Sequence, residues 1–369
     1  MMKRIFAATL AIAAAATVSG MPAAAQQVEE LKVSSDEPYA HDLSGLRLPA
    51  TLARAPRNKA VTIGGDLLDV SANYESPDRA ELLSLYVYRQ ASGALPVWFD
   101  RARWSIEHRP NVYGKPVAAV GGPSFVPPRQ QTASGLIATY TLNKNAYRST
   151  GVAILPFGNW LVKLRYSSKT LEAASLATAM RAALAELEWP ADIAPAPAAV
   201  PVTNCSTPLV TSGKSRPAQE DLRAMLMTAI VGVAAATDPA DKEATAAEPR
   251  AAWCRDATAL KGGGVYRPNE ATDNYLIALS DAGRGVLVGP SPANSLRAES
   301  NPPAPSWNVS LVDLGATTFF QAQDRLPSPS HVMQRVIRGP VTSQVSTRGK
   351  KRNINISPGA FRNGNGKAK

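Results

Sequence analysis

The stretch "STGVAILPFGNWLVKLRYSS", Ser149–Ser168, consists of two β-favouring arms around the turn residues Pro156–Asn159. In the second arm Trp160, Val162, Leu164 and Tyr166 alternate with Leu161, Lys163, Arg165 and Ser167. A period of two sends alternate side chains to opposite faces of a sheet, so one set meets a core and the other presents two cations. The pattern that follows, "TLEAASLATAMRAALAELEW", brings Leu176, Met180, Ala183, Leu184 and Leu187 onto one side of a helix. The hairpin is therefore read first as architecture. Its apolar set pins a sheet to that helix, with Thr170 as N-cap, Glu172 in the first turn and Trp189-Pro190 as the stop.

Upstream, "LSGLRLPA", "AVTIGGDLLDVSANY", "ELLSLYVYR", "KPVAAVGG" and "SGLIATYTLN" are further strand candidates. Leu83, Leu85 and Val87 share a face of one, and Leu136, Ala138, Tyr140 and Leu142 a face of another. "VWFDRARWSIEHR" carries Trp98, Ala102 and Ile106 at helical spacing, with Phe99 beside them. Strands interrupted by one helix and closed by another predict an antiparallel sheet covered by helices, an α+β domain over residues 42–189. The element order from Leu46 to Trp189, ending in "STGVAILPFGNWLVKLR" before a C-terminal helix, resembles the PsbP-like superfamily of small exported α+β domains. The resemblance spans about 40% of the chain and implies an adaptor or stabilising role. It brings no catalytic motif and transfers no functional residue.

Residues 190–202, "PADIAPAPAAVPV", form a Pro/Ala spacer. A second small α+β domain is placed at 203–340. It would contain a helix over "PAQEDLRAMLMTAIVGVAAATD", a hairpin "DNYLIALSDAGRGVLVGPS", a strand pair "WNVSLVDLG" and "TTFFQAQDRL", and a last helix "SPSHVMQRVIRG". The apolar run Ala224–Ala236 is shorter than the roughly 20 residues that a bilayer span needs. Residues 26–41 are read as an extended lead-in. Residues 341–369 carry seven basic and no acidic residues and little apolar content, which predicts a disordered basic tail.

The N-terminus, "MMKRIFAATLAIAAAATVSGMPAAAQQ", has a basic start, an apolar run and an Ala23-Ala24-Ala25 cleavage signal. It reads as a signal peptide over residues 1–25, exporting a bacterial protein to the periplasm or beyond and leaving no transmembrane segment. In an oxidising compartment the two cysteines, Cys205 and Cys254, pair as a disulfide. The formal charge of +11 is concentrated at the ends: residues 26–340 hold 31 basic and 29 acidic residues. That balance argues against specific nucleic-acid binding and leaves the tail to meet an anionic envelope component.

Neither G-x-S-x-G, nor H-E-x-x-H, nor the motif set of penicillin-binding enzymes is present. His41, His108 and His331 lie too far apart in the chain to suggest a metal site or a histidine–thiol pair. Glu75, Asp78 and Glu81 read as a charged turn, Ser124 in "GGPSF" as a turn residue, and "KGGGVYRPN" lacks the ending of a phosphate loop. No catalytic residue, metal or cofactor is assigned. The binding candidate is Lys163 and Arg165 with Tyr86 and Tyr88, which point away from Leu83, Leu85 and Val87. If they converge, with Arg89, Arg101 and Arg103 in the same domain, they would hold a phosphate, sugar acid or carboxylate. The competing reading, a solvated outer sheet face, is the favoured one. The expected function is an exported, non-enzymatic binding or envelope-associated accessory protein. A cell-envelope or carbohydrate hydrolase with dispersed carboxylates, and a structural partner in an envelope complex, are the alternatives.

Overall fold

The computed structural model describes residues 28–143, 146–218, 251–294, 304–348 and 353–357. The N-terminal half begins with β1 (Val28–Glu30), β2 (Tyr39–His41), β3 (Leu46–Leu48) and β4 (Thr51–Leu52). A first meander follows: β5 (Ala55–Ile63), β6 (Asp69–Glu75) and β7 (Glu81–Arg89). After α1 (Leu95–Glu107) and α2 (Pro110–Tyr113), a second meander comprises β8 (Val117–Phe125), β9 (Gly135–Thr141), β10 (Ser149–Phe157) and β11 (Trp160–Ser168). The two meanders join where β7 pairs with β11, giving the order β1-β5-β6-β7-β11-β10-β9-β8. The turn between β10 and β11 is Gly158-Asn159, because Phe157 pairs with Trp160 and Gly158 takes φ +57°, a conformation glycine adopts without a Cβ clash. Pro156, read above as part of the turn, is a strand residue opposite Leu161.

One face of this sheet packs as the alternation requires. Val162, Leu164 and Tyr166 of β11 and Leu83, Leu85 and Val87 of β7 meet Leu176, Met180 and Leu184 of α3 (Ala173–Ala185) in one buried cluster. Thr170 is not the cap of that helix: Glu172 holds the N-cap position, and the Thr170 hydroxyl donates to Glu81 Oε1 at 2.7 Å. Gly151 of β10 lets α3 sit this close, since a Cβ there would lie 2.7 Å from the Met180 sulfur.

The second sheet begins with β12 (Thr203–Asn204), parallel to β13 (Trp253–Arg255). It continues antiparallel in chain order through β14 (Gly264–Pro268), β15 (Tyr275–Ala278), β16 (Gly285–Pro290), β17 (Trp307–Val312) and β18 (Ala316–Gln323) to β19 (Val341–Ser346) and β20 (Ile354–Ile356). Val332 and Val336 of α4 (Pro329–Arg338) cover one of its faces. Ser328 caps that helix by accepting from the His331 N–H at 3.4 Å.

These elements correct the expected α+β class. About 41% of the described residues are strand and 15% helix, the helices among them are four and short, and the fold is mainly β with large antiparallel sheets rather than a helix-covered sheet. The tail supplies part of the excess: Val341–Ser346 and Ile354–Ile356, read as disordered, are strands. Val341, Val345, Ile354 and Ile356 are sparse, but pairing of β19 with the edge of β18, and of β20 with β19, satisfies their backbone. The lead-in is likewise engaged, with Val28–Glu30 paired to β5. The predicted signal peptide and most of the helix predicted from Pro217 lie outside the described residues. Among the described residues no helix is long and apolar enough to cross a membrane.

The core does not stop at the Pro/Ala spacer. Trp98, Phe99 and Ala102 of α1, Tyr88 and Leu161 of the first sheet, and Tyr266, Leu276, Ala278 and Leu314 from beyond the spacer form a single buried cluster. Ala199 within the spacer donates its N–H to the Ala133 carbonyl at 2.9 Å. Gly93 makes room for this contact: at φ +63°, a Cβ on it would fall 2.9 Å from Leu276.

His41 ties β2 to the first sheet. Its ring is buried, with Nε2 2.8 Å from the Leu67 carbonyl, Nδ1 2.6 Å from the Ser44 hydroxyl, and its edge against Trp160. The carbonyl can only accept, so Nε2 carries the proton and Nδ1 accepts from Ser44. Burial pushes its pKa below the ordinary histidine value; the Leu67 carbonyl and Asp42 oppose that shift, and Arg348 adds to it. A depressed folded pKa means that the unfolded chain takes up the proton first. The stability from neutral His41 is present above the ordinary histidine value of about 6.5 and is lost as pH falls from there through the lower folded pKa. The urea midpoint is expected to decline as pH falls below about 6.5, and His41→Gln to flatten the decline. An equal slope in the variant would exclude His41 as its source. His331, on α4 beside Arg335, is shifted in the same direction and adds to the same decline.

The candidate site is a buried seam

Sheet register does bring the predicted residues together. Lys163 pairs with Tyr86 and Leu161 with Tyr88, which places the Lys163 ammonium 4.4 Å from the centre of the Tyr86 ring and 5.4 Å from that of Tyr88. Arg165 follows two residues along the same face. That face is neither a ligand cleft nor solvated. The β15–β16 hairpin lays its tip on it, and Asp281 reaches Lys163 Nζ at 3.0 Å and Arg165 Nη2 at 2.6 Å. Lys163 also donates to the Asp281 carbonyl at 3.1 Å, and Arg165 to the Ser105 hydroxyl at 2.5 Å. Both earlier readings of the face are thereby corrected. The cations do hold a carboxylate, and it belongs to the same chain.

Burial shapes the ionisation here. Burial alone would push Asp281 up, but Lys163 and Arg165 outweigh it and hold the carboxyl far below the usual range. Burial lowers Lys163, with Asp281 and Asp69 opposing. Burial raises the Tyr86 and Tyr88 phenols, and the Asp281 charge adds to it. Beside them Arg284, at the hairpin tip, donates to Asp69 at 2.7 Å and to Asp313 at 2.8 Å. Burial raises Asp69 despite Arg284. The backbone joins in: Ser92 donates to the Gly283 carbonyl at 2.9 Å, and Arg89 to the Leu314 carbonyl at 2.7 Å and to the Thr347 hydroxyl at 2.8 Å.

A second polar knot closes the other end of the seam. Asp100 of α1 accepts from the Tyr266 hydroxyl at 2.7 Å and from Arg255 at 3.1 and 3.2 Å; Arg255 also donates to Asn204 at 3.1 Å. Within the second sheet the buried Arg267 pairs with Asp256 at 3.2 Å. Arg103, the third of the other cations named from sequence, pairs with Glu107 at 3.2 Å and donates to the Tyr140 hydroxyl at 3.1 Å.

Cys205 and Cys254 form the expected disulfide, at the junction of β12 with β13. Glu75, Asp78 and Glu81 form the expected turn region: Ser76 bonds Asp78 at 2.5 Å, Arg79 pairs with Glu75 at 3.8 Å, and Glu81 accepts from Ser168 at 2.8 Å. Ser124 stands in β8 at an irregular register rather than in a turn. Among the described residues no group of three or more His, Cys, Asp or Glu side chains is placed to hold a metal. Asp281, Asp69, Asp100 and Asp313 were missed as site residues because their partners lie more than 100 positions away for Asp281 and Asp100 and as near as 29 for Asp313. Periodicity carries no signal at such range. Set against known families and proteins, the chain matches no family model, no curated protein and no solved structure.

Proposed function

We propose that this is an exported, non-enzymatic binding or envelope-associated accessory protein of the bacterial periplasm or cell exterior. The observation that carries this reading is the pairing of the enclosed acids: Asp69, Asp100, Asp256 and Asp281 each close on an arginine or lysine. A glycosidase needs two carboxyls flanking an open substrate position, one of them kept protonated. These four tie elements of the fold to one another instead. The disulfide agrees with an oxidising compartment. The structural-partner alternative draws support from β8, the last strand of its sheet, where Val117, and Val126 just past its end, are 55% and 53% exposed.

Retention on envelope material tests the proposal. Residues 26–369 with the disulfide intact are expected to bind isolated cell-envelope fragments saturably and to release no reducing ends. Release of reducing ends in proportion to protein would establish a hydrolase, and failure to bind would remove the accessory reading. Loss of binding in Val117→Lys alone would assign the contact to the β8 edge.

A further inference from the structure

We infer that Arg101 anchors a binding site for a small oxyanion, a carboxylate or phosphate group, between α1 and β14. Arg57, Arg101 and Arg267 are all nine-tenths or more buried. Arg57 donates to four backbone carbonyls, and Arg267 pairs with Asp256 and donates to three. Arg101, 6% exposed, has no ion pair and no hydrogen bond among the described residues, and its Nε is enclosed without an acceptor. A guanidinium largely withdrawn from water, with an enclosed Nε that finds no acceptor, is unfavourable, and an anion reaching its fork resolves that imbalance.

The surroundings are shaped for such a group. The Arg101 guanidinium lies 4.6 Å over the Trp104 ring, which in turn stacks on His108 at 4.5 Å, so one plane of the fork is fixed while its edge stays unengaged. Gly264 brings the β14 backbone against the guanidinium; a Cβ there would sit 3.1 Å from Arg101 Nη1. This glycine ends the "KGGG" run whose phosphate-loop reading was set aside from sequence. Asp100 does not neutralise Arg101, because its carboxylate is taken by Tyr266 and Arg255. The local sum of Arg101, Arg255 and Asp100 is one positive charge, which fits one anionic group. Arg255, with 40% of its side chain exposed, marks the side open to solvent. Deep placement of Arg101 limits the ligand to a small or narrow terminal group and excludes a broad polyanion.

This inference rests on the binding reading above and names a ligand class for it, yet the two fail separately. Envelope retention through another surface leaves Arg101 silent, and a phosphate response needs no envelope. Melting of the mature protein is followed in sodium phosphate and in sodium acetate against sodium chloride at equal ionic strength. A saturable rise of about 5 °C is expected at a hundredfold excess over Kd. Arg101→Met should abolish the rise while melting in chloride at or above the parent temperature, and Arg101→Lys should weaken it by losing the fork. In the unsubstituted protein the Arg101 Nε–Hε resonance should move with phosphate, which keeps the test independent of whether the variants fold. A rise with phosphate alone assigns a phosphate ligand, and one with both salts the wider oxyanion class. No rise with either salt, a rise that survives in Arg101→Met, or an unmoved Arg101 resonance would each overturn the site.

Discussion

Asp281→Asn is expected to cost about 3 kcal/mol of unfolding free energy and to loosen the β15–β16 hairpin from the first sheet. The substitution leaves Lys163, whose side chain is 3% exposed, and Arg165 facing one another with their direct counter-charge gone and only Asp69, itself paired with Arg284, nearby. Breaking one partner of a buried ion pair typically costs about 3–5 kcal/mol, and the lower end applies because Asp281 keeps 21% of its side chain exposed, so water relieves part of the loss. The decisive measurement is a sign. Lys163→Met should destabilise the parent protein, where it strips Asp281 of a cation, yet stabilise the Asp281→Asn protein, where it removes an uncompensated charge. If Lys163→Met lowers the urea midpoint equally in both backgrounds, the seam is not held by this pair. Hydrogen exchange at Leu279–Gly285 should quicken in Asp281→Asn before the rest of the second sheet responds.

Reduction of Cys205–Cys254 is expected to produce a loss of similar size. The bond joins residues 49 apart, and closing a loop of that length restricts the unfolded chain by about 4 kcal/mol on the chain-entropy account. The native state has local reasons to need it. β12 is only two residues long, held by its parallel pairing with Cys254 and Arg255 and by the Asn204–Arg255 hydrogen bond. Urea unfolding with and without reductant should show the difference, and Cys205→Ala with Cys254→Ala should reproduce the reduced curve. Superimposable curves would mean that β12 docks without its covalent tether.

Much of the first sheet was readable from local pattern. The period of two in Trp160–Ser167 placed Val162, Leu164 and Tyr166 on the face that meets α3, and the spacing of Leu176, Met180 and Leu184 placed that helix on them. The stripe Trp98, Ala102 and Ile106 was likewise buried as expected. "DAGRG" was recognisable as a hairpin tip, and the cysteine pair followed from their number and compartment. The tail strands were not, because Val341–Ser346 draws its order from the edge of β18 rather than from its own composition.

Local chemistry thus set the faces: a side chain's side of a strand or helix follows from backbone periods that every residue obeys. It also assembled Lys163, Arg165, Tyr86 and Tyr88 on one such face. What met that face was settled only by the tertiary fold. Asp281 and Arg284 arrive from more than 100 residues away because Leu276, Ala278 and Leu314 bury their surface against Tyr88, Leu161 and α1. Burial of non-local apolar surface has no period to announce it. It converted an outer cationic face into an internal joint and left the unpaired guanidinium at Arg101, which the sequence lists among several others and the packing singles out.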